Sequence, residues 1–480
     1  MKTDLLKLFE SFMHNNYRDK VWLVILWAIF AVILIFLCLH SNYRWFSHDE
    51  FEHIHTAWKI LQGQEIYVDF FQHHHPFLSY LLVPVVSILG DTTTSIFASR
   101  YLILLMVFGI LLITYFLALK LFKEVEIAII SLILTATAVA FYDEAIKVRP
   151  DVPLTLTGLL SIYCLFIYYD KKSIVSLVAS AIFLALSFLF LQKAIPLIIV
   201  IGFIFLFDLY TKRMHFKEVL LFALVFLLTL FPYYIYLLAN GFFEKYFMMN
   251  WILNLKIRES HGLSRYTILM DMFRANTVTF MFYAIGFILV VKSHKNMKFA
   301  VLSACLFTTV LLIYKNLWEQ YFLFIIPLIG IIASCGIVST LKHNVNKLVV
   351  IIFAVYLPLS TMHDFVRIVR NRDFDNTKQM EQLQKINYVL SITDKKDKVY
   401  DGDIIFNLFR DDIDYFWFCS GPGDCIDQYN EITDYKYDVY DLILKYKPKI
   451  ISSYNINLED ERIKNYKISE KYDDLLIRTE

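Results

Sequence analysis

VWLVILWAIFAVILIFLCLHSNYRWFSHDEFEHIH, residues Val21 to His55, is the stretch that decides the fold. Its first part runs apolar to His40, about the length that crosses the hydrocarbon of a bilayer. Spanning segments are helical, because lipid offers backbone polar groups no other partner. No small-residue cleavage site follows, so the run reads as a retained helix and not as a removed signal peptide. Just beyond it stand Asp49 and Glu50, opening a loop that continues Phe51-Glu52-His53-Ile54-His55. Ionisable residues beside a bilayer are costly unless they are paired or functional. Two acids here put a candidate site at the outer face of a membrane.

The rest of the chain fits that setting. With 58% hydrophobic and 19% charged residues, the 480-residue sequence is too apolar for an ordinary soluble protein. A net charge of +1, with no basic stripe interleaved with aromatics, gives no reason to expect nucleic acid as a partner. Apolar runs recur at about 21–40, 101–119, 126–142, 153–169, 174–191, 194–210, 219–239, 276–291, 299–314, 321–340 and 348–362. With a cytoplasmic N-terminus, the inner loops hold Lys120 and Lys123, Lys171 and Lys172, and Lys212, Arg213 and Lys217. Further on they hold Lys292, Lys295 and Lys298, then Lys342 and Lys347. Short basic inner loops obey the positive-inside rule. This alternation predicts about eleven spans and leaves residues 363–480 outside. The stretch Pro76 to Gly90 is short and contains Pro84, so it reads as an interfacial or re-entrant helix. The first outer loop then covers 41–100, and a loop of that length usually carries function.

Residues 363–480 are a different material, rich in Asp, Lys, Tyr and Asn. Alternation over Val399 to Phe406 predicts a strand, Tyr440 to Lys447 a helix, and Ile450 onward a second strand. The expectation is a small extracytoplasmic α/β domain. Neither a P-loop nor a GxGxxG pattern occurs. Cys419 and Cys425 flank Gly421-Pro422-Gly423; outside the cytoplasm they have the setting for a disulfide, which the sequence leaves open.

Candidate site residues gather on the outer face. In a helix over 49–60, Asp49, Glu52, His53 and Thr56 share one side. Ser47 is placed to cap that helix, with Glu50 at the capping-box position, although Glu50 also stands with Asp49 among the candidate catalytic acids. The run His73-His74-His75 precedes Pro76. Asp49, His53 and His74 are candidate ligands of a divalent ion, whose presence is left open, and His75 is a candidate phosphate contact. The second acid, Asp151, follows Arg149-Pro150 and opens a span at the same face. Arg149, Lys193, Arg258 and Arg265 are the cations available to hold a lipid-linked phosphate. Transfer of a sugar from such a phosphate needs this set: a carboxylate to take the acceptor proton and cations to stabilise the leaving phosphate.

The order of these motifs resembles the GT-C superfamily of polytopic glycosyltransferases. It is most similar to the branch of protein O-mannosyltransferases and lipid A aminoarabinose transferases (glycosyltransferase family 39-like). The resemblance rests first on Asp49-Glu50 after a first helix, and on the turn His74-His75-Pro76-Phe77-Leu78-Ser79-Tyr80-Leu81 followed by Ser99-Arg100. It continues in Arg149-Pro150-Asp151-Val152-Pro153-Leu154, in Gln192-Lys193-Ala194, and in Gln320-Tyr321 through Pro327. It spans the membrane part, residues 1–362, and more loosely the tail. It implies a polytopic α-helical, GT-C-like membrane protein with outer amphipathic helices. It also implies Asp49 as base or acceptor-orienting acid, Asp151 as second acid, and Arg149 and Lys193 as donor-phosphate ligands. The lipid A branch carries Lys in a Lys-Pro-Pro turn where this chain has His75-Pro76-Phe77, so lipid A is not the expected acceptor.

The expected activity is inverting transfer from a polyprenyl-phosphate sugar to a hydroxyl of a lipid, glycan or protein. The expected place is a bacterial inner membrane. A ligase or polymerase of lipid-linked glycans is the nearer alternative. A transporter is the more distant one, since it would put charges at mid-helix and pair discontinuous helices.

Overall fold

The computed structural model describes residues 2–256, 264–294, 296–314, 317–342, 377–419, 425–433, 438–454 and 456–479, with side chains from Val21 onward. Helix α1 (Lys2–Tyr43) carries the first apolar run, and α2 (His48–Leu61) opens on the acids. Then come α3 (Phe77–Leu89), α4 (Thr93–Phe122), α5 (Val125–Thr137), α6 (Val139–Glu144), α7 (Asp151–Lys171) and α8 (Ile174–Phe190). They are followed by α9 (Ile195–Tyr210), α10 (Phe216–Ala239), α11 (Phe243–Phe247), α12 (Asn254–Lys256), α13 (Arg265–Ala275), α14 (Thr277–Lys292), α15 (Met297–Ile313) and α16 (Ile326–Lys342).

Five described helical stretches are long and apolar enough to cross a membrane: Val21–Tyr43, Thr93–Phe122, Asp151–Lys171, Gln192–Tyr210 and Phe216–Ala239. The other apolar runs that are described are helical but shorter or broken. The run expected at 126–142 divides into α5 and α6 at Ala138, whose extended backbone interrupts the helix. Helix α14 meets α13 at a bend of 84°. The run expected at 348–362 and the expected boundary at 362 lie outside the described residues. The Pro76–Gly90 stretch is the short helix α3, with Pro84 inside it. Exposed Leu224, Leu227, Leu228 and Phe231 on α10 present the apolar surface that lipid requires. Helices α14 and α16 cross closely: a Cβ on Gly286 would strike the Ile332 carbonyl, and one on Gly336 the Phe282 carbonyl.

The expected inner loops meet one another at one end of the bundle. Lys120 pairs with Asp170 (2.6 Å), Lys342 with Glu124 (2.6 Å) and Lys298 with Asp208 (2.7 Å), and Lys172 donates to the Arg213 carbonyl (2.9 Å). The acids of α2 and α7 meet at the other end.

What fixes that other end is Arg100, on the first turns of α4 and fully buried. Nε donates to Glu50 Oε1 (2.9 Å) and Nη2 to Glu50 Oε2 (2.7 Å). Nη1 donates to the carbonyls of Ser41 (2.9 Å) and Arg44 (2.8 Å), and Nη2 to that of Trp45 (3.1 Å). All five guanidinium N–H groups are thereby satisfied. Glu50 also accepts from the amides of Ser47 (2.9 Å) and Val148 (3.2 Å). One buried ion pair thus joins the end of α1, the start of α2, α4 and the turn that leads into α7.

The C-terminal residues form α17 (Thr377–Ile392), α18 (Cys425–Ile432), α19 (Val439–Tyr446) and the strands β1 (Val399–Tyr400), β2 (Ile450–Ser452), β3 (Tyr466–Ile468) and β4 (Leu475–Arg478). The sheet order is β1-β2-β4-β3, parallel between β1 and β2 and antiparallel elsewhere. The strand expected to reach Phe406 stops at Tyr400. Asp401 takes the amides of Ile405, Phe406 and Asn407 on one carboxylate oxygen (2.9, 2.7 and 2.7 Å), which turns the chain back on itself. Cys419 and Cys425 are bonded to each other.

This segment is tied to the α2 region. Gln379 donates to the carbonyls of Asn42 and Arg44 (2.9 Å each), and Gln382 closes a reciprocal pair with the Phe46 backbone (2.8 Å each). Asp412 accepts from His55 Nε2 (2.8 Å) and Lys59 Nζ (2.7 Å), while His55 Nδ1 donates to the Leu408 carbonyl (2.9 Å).

Two outcomes follow from these buried charges. Arg100→Met leaves Glu50 buried without its counter-ion and should cost about 3–5 kcal/mol, read as a fall in the thermal midpoint of detergent-solubilised protein; adding Glu50→Gln should recover part of it. An unchanged midpoint in the single variant contradicts the role assigned to the pair. Burial opposes ionisation of Asp412, but Lys59 and His55 prevail and hold it at about 2. A depressed carboxylate stabilises the fold above its unfolded value and loses that contribution as pH falls through the folded one. About 2 kcal/mol should therefore fade between roughly pH 4 and 2, and Asp412→Asn should remove this acid-dependent part of the unfolding profile.

Candidate active site

Helix α2 presents two faces. One carries His55 and Lys59 toward the C-terminal segment. The other carries Asp49, Glu52, His53 and Thr56, the side expected from their spacing, toward the loop 72–75 and the start of α7. Thr56 Oγ1 accepts from Gln72 Nε2 (3.1 Å), and the rings of His53 and His74 lie 5.6 Å apart.

The centre is a chain of alternating charges. Arg149 Nη1 is hydrogen-bonded to Asp49 Oδ2. Its Nε lies 3.4 Å from Asp151 Oδ2, and Glu144 approaches Nη1 at 3.9 Å. Lys193 Nζ lies 3.5 Å from the other Asp151 oxygen and sits 4.1 Å over the Tyr321 ring. The Asp49 side chain is 41% exposed, whereas those of Arg149, Asp151 and Lys193 are 12%, 7% and 17% exposed. Asp49 is therefore the carboxylate that an incoming molecule reaches first. Burial opposes its charge, but Arg149 foremost, with His53, Lys147 and Lys193, holds the carboxyl below the usual range. Beside Asp151 and Lys193 opens a narrow pocket, with Thr155, Ser187, Tyr314 and Gln320 on its polar side and Leu306, Val310 and Phe324 on its apolar side.

On the other flank of Asp49 lie Glu52, His73 and His74, each with a ligand atom within 4.8 Å of the others. Burial pushes the Glu52 carboxyl up to about 8, and the charge of Asp49 adds to it. Burial pulls His53 down to about 3, His73 to about 4 and His74 well below the usual value. These imidazoles are neutral.

Several sequence expectations take a different form here. The Glu50 carboxylate is saturated by Arg100, Ser47 and Val148, so it is a structural acid and not a catalytic one. The capping-box alternative for Glu50 is what the bond from the Ser47 amide realises. His75 is buried, with Nδ1 donating to the Phe188 carbonyl (2.6 Å) and Nε2 accepting from the Tyr246 hydroxyl (3.1 Å), so neither nitrogen is free for a phosphate. Asp49 pairs with Arg149, and the residue whose ligand atoms gather with those of His73 and His74 is Glu52. Arg265 is exposed at the start of α13, and no hydrogen bond or ion pair among the described residues joins it to the centre. Arg258 lies outside the described residues. Sequence reasoning missed Tyr314 beside Lys193, Gln72 behind the histidines and Asp412 behind α2, and no local signal marks them. It named Glu52 only as sharing a face with Asp49.

Residues 73–251 match the family model described as dolichyl-phosphate-mannose-protein mannosyltransferase. No curated protein gives a significant sequence match. The fold is similar to that of ArnT from Cupriavidus metallidurans bound to undecaprenyl phosphate, at a TM-score of 0.64 and 13% identity, over 95% of this chain and 97% of that one. The apo form of the same protein aligns at a TM-score of 0.50 and 12% identity, over 78% of this chain and 70% of that one. The archaeal oligosaccharyltransferase AglB from Archaeoglobus fulgidus, in complex with an inhibitory peptide and a dolichol-phosphate, aligns at 0.50 and 11% identity, over 90% and 69%. The matched segment covers the stretch from the histidine loop through Arg149, Asp151 and Lys193, and the architecture extends over nearly the whole chain: five of its described helices are long and apolar enough to cross a membrane, and its fold is that of the proteins it resembles.

Proposed function

We propose that the chain transfers a sugar from a polyprenyl-phosphate donor to an acceptor hydroxyl at the outer face of the membrane, with inversion. The observation that carries this reading is Arg149 held between Asp49 and Asp151 with Lys193 on the far side. The undecaprenyl phosphate and dolichol-phosphate held by the two similar proteins favour a lipid-linked donor for this one. A cytoplasmic N-terminus and an outer C-terminal domain accord with the basic loops at one end and with the disulfide in the C-terminal segment.

In this mechanism the donor phosphate enters beside Lys193 and Arg149. An anion there competes with Asp49 for the guanidinium. Once Arg149 turns to the phosphate, Asp49 loses the charge that made it a weak base. It then accepts the proton of the acceptor hydroxyl as the oxygen attacks the anomeric carbon. The bond from carbon to phosphate oxygen breaks, its electron pair leaves with the polyprenyl phosphate, and Arg149 and Lys193 stabilise the growing charge. A single displacement inverts the centre. Donor binding and base activation are coupled through one side chain.

Purified protein supplied with a panel of polyprenyl-phosphate sugars should show turnover with one of them. Asp49→Asn should keep the thermal midpoint and lose at least ~100-fold in rate; near-normal turnover removes Asp49 from the base role. The coupling has its own signature. The acid limb of the rate profile follows protonation of Asp49, so it should lie at higher pH for the donor-saturated enzyme than for the free enzyme. Coincident limbs contradict the exchange of Arg149 between carboxylate and phosphate.

A further inference from the structure

Glu52, His73 and His74 are not used by that mechanism, and their surroundings are unusual. Glu52 is 3% exposed, and its Oε1 has no hydrogen-bond partner. His74 Nδ1 is also buried without a partner. A buried polar atom left unsatisfied costs about 1–3 kcal/mol and calls for an explanation. The Nε2 atoms of His73 and His74 face each other at 3.0 Å. Two nitrogens bound tetrahedrally to one zinc-sized ion at ~2.0–2.1 Å sit roughly 3.3 Å apart, so little adjustment separates this spacing from coordination.

The loop is held through its backbone, while the two rings share the hydrogen bond between their Nε2 atoms. Gln72 Oε1 accepts from the amides of His73 (2.8 Å) and His74 (3.0 Å). Asn254 Nδ2 donates to the His73 carbonyl (2.7 Å), and the Tyr67 hydroxyl to the His74 carbonyl (2.6 Å). Four backbone groups are thus fixed by side chains from outside the histidine pair. These bonds fix the backbone of the loop, and with it the positions from which the two imidazoles project. Cys425 Sγ lies 3.9 Å from His73 Nδ1, but its sulfur is bonded to Cys419 and offers no thiolate. The second acidic group at this end, Asp143, Glu144 and Glu319, is unlike it: Arg44 pairs with Asp143 (2.8 Å) and Lys147 with Glu144, so cations already answer its charge.

We infer that Glu52, His73 and His74 bind one divalent transition-metal ion of the zinc class, with a fourth position open beside Asp49. One carboxylate oxygen and two imidazoles are a borderline donor set that suits zinc and leaves a site for water or a substrate oxygen. Ion binding stands on this geometry alone; only a role toward a donor phosphate rests on the transferase reading.

The test is metal content. Full-length protein purified without chelators should carry close to one equivalent of zinc by elemental analysis. Cobalt substitution should give the visible spectrum of a tetrahedral nitrogen and oxygen site without sulfur charge-transfer bands. Glu52→Gln and His74→Ala should weaken zinc binding at least ~100-fold, and Gln72→Ala ~10- to 100-fold. Glu319→Gln should bind zinc as the unaltered protein does. Added zinc should raise the thermal midpoint of the chelator-treated wild type, which keeps the proposal testable where a ligand variant fails to fold. Wild-type protein that neither retains zinc nor gives the cobalt spectrum overturns it, as does zinc binding unchanged by Glu52→Gln and His74→Ala. Because no donor sugar enters these assays, failure here leaves the transferase reading standing, and the reverse holds as well.

Discussion

The pairing of Arg100 with Glu50 is the constraint on which the active end of this protein depends. A guanidinium with no exposed surface is tolerable only when every donor is answered, and the carbonyls at the end of α1 and the Glu50 carboxylate answer all five. Those same bonds set where α2 starts. Because Glu50 also takes the Val148 amide, they set where the turn before Asp151 runs. Asp49 and Arg149, each one residue away from atoms in this network, are brought together without either having to be rigid in itself. A buried ion pair of this kind adds little net stability over an apolar equivalent, and its use here is to specify geometry.

Around that anchor the charges are graded by access. Glu50 and Arg100 are sealed. Asp151 and Lys193 line a pocket wall, Arg149 bridges from Asp151 to Asp49, and Asp49 is the most open. Histidines beside the site are stripped of charge by burial, so the positive field at the centre comes from Arg149 and Lys193. The C-terminal segment grips α2 from behind through Asp412, which makes it a part of the frame of the site and not an appendage.

Much of this was legible in the sequence because membrane physics is simple to read. Apolar runs and basic loops mark helices and the ends at which they meet, and the spacing of Asp49, Glu52, His53 and Thr56 gave the face of α2 that turns to the histidine loop and α7. The motif Arg149-Pro150-Asp151 likewise put a cation beside the second acid, where the two are found paired. What stayed hidden depended on long-range partners. Nothing local distinguishes Glu50 as a structural acid from Asp49 as an accessible one; Arg100 decides it from another helix. His75 looked like a phosphate contact until Phe188 and Tyr246 took its two nitrogens. Short apolar runs such as Ile174–Phe190 and Met297–Ile313 left span lengths uncertain, because helix breaks depend on packing.

A structure of the full chain with polyprenyl phosphate bound in a lipid nanodisc tests the central claim most directly. The account predicts the phosphate within hydrogen-bonding distance of Arg149 and Lys193, the prenyl chain leaving toward lipid, and the Arg149 guanidinium turned away from Asp49. A phosphate seated elsewhere, with the contact between Arg149 and Asp49 intact, would contradict it.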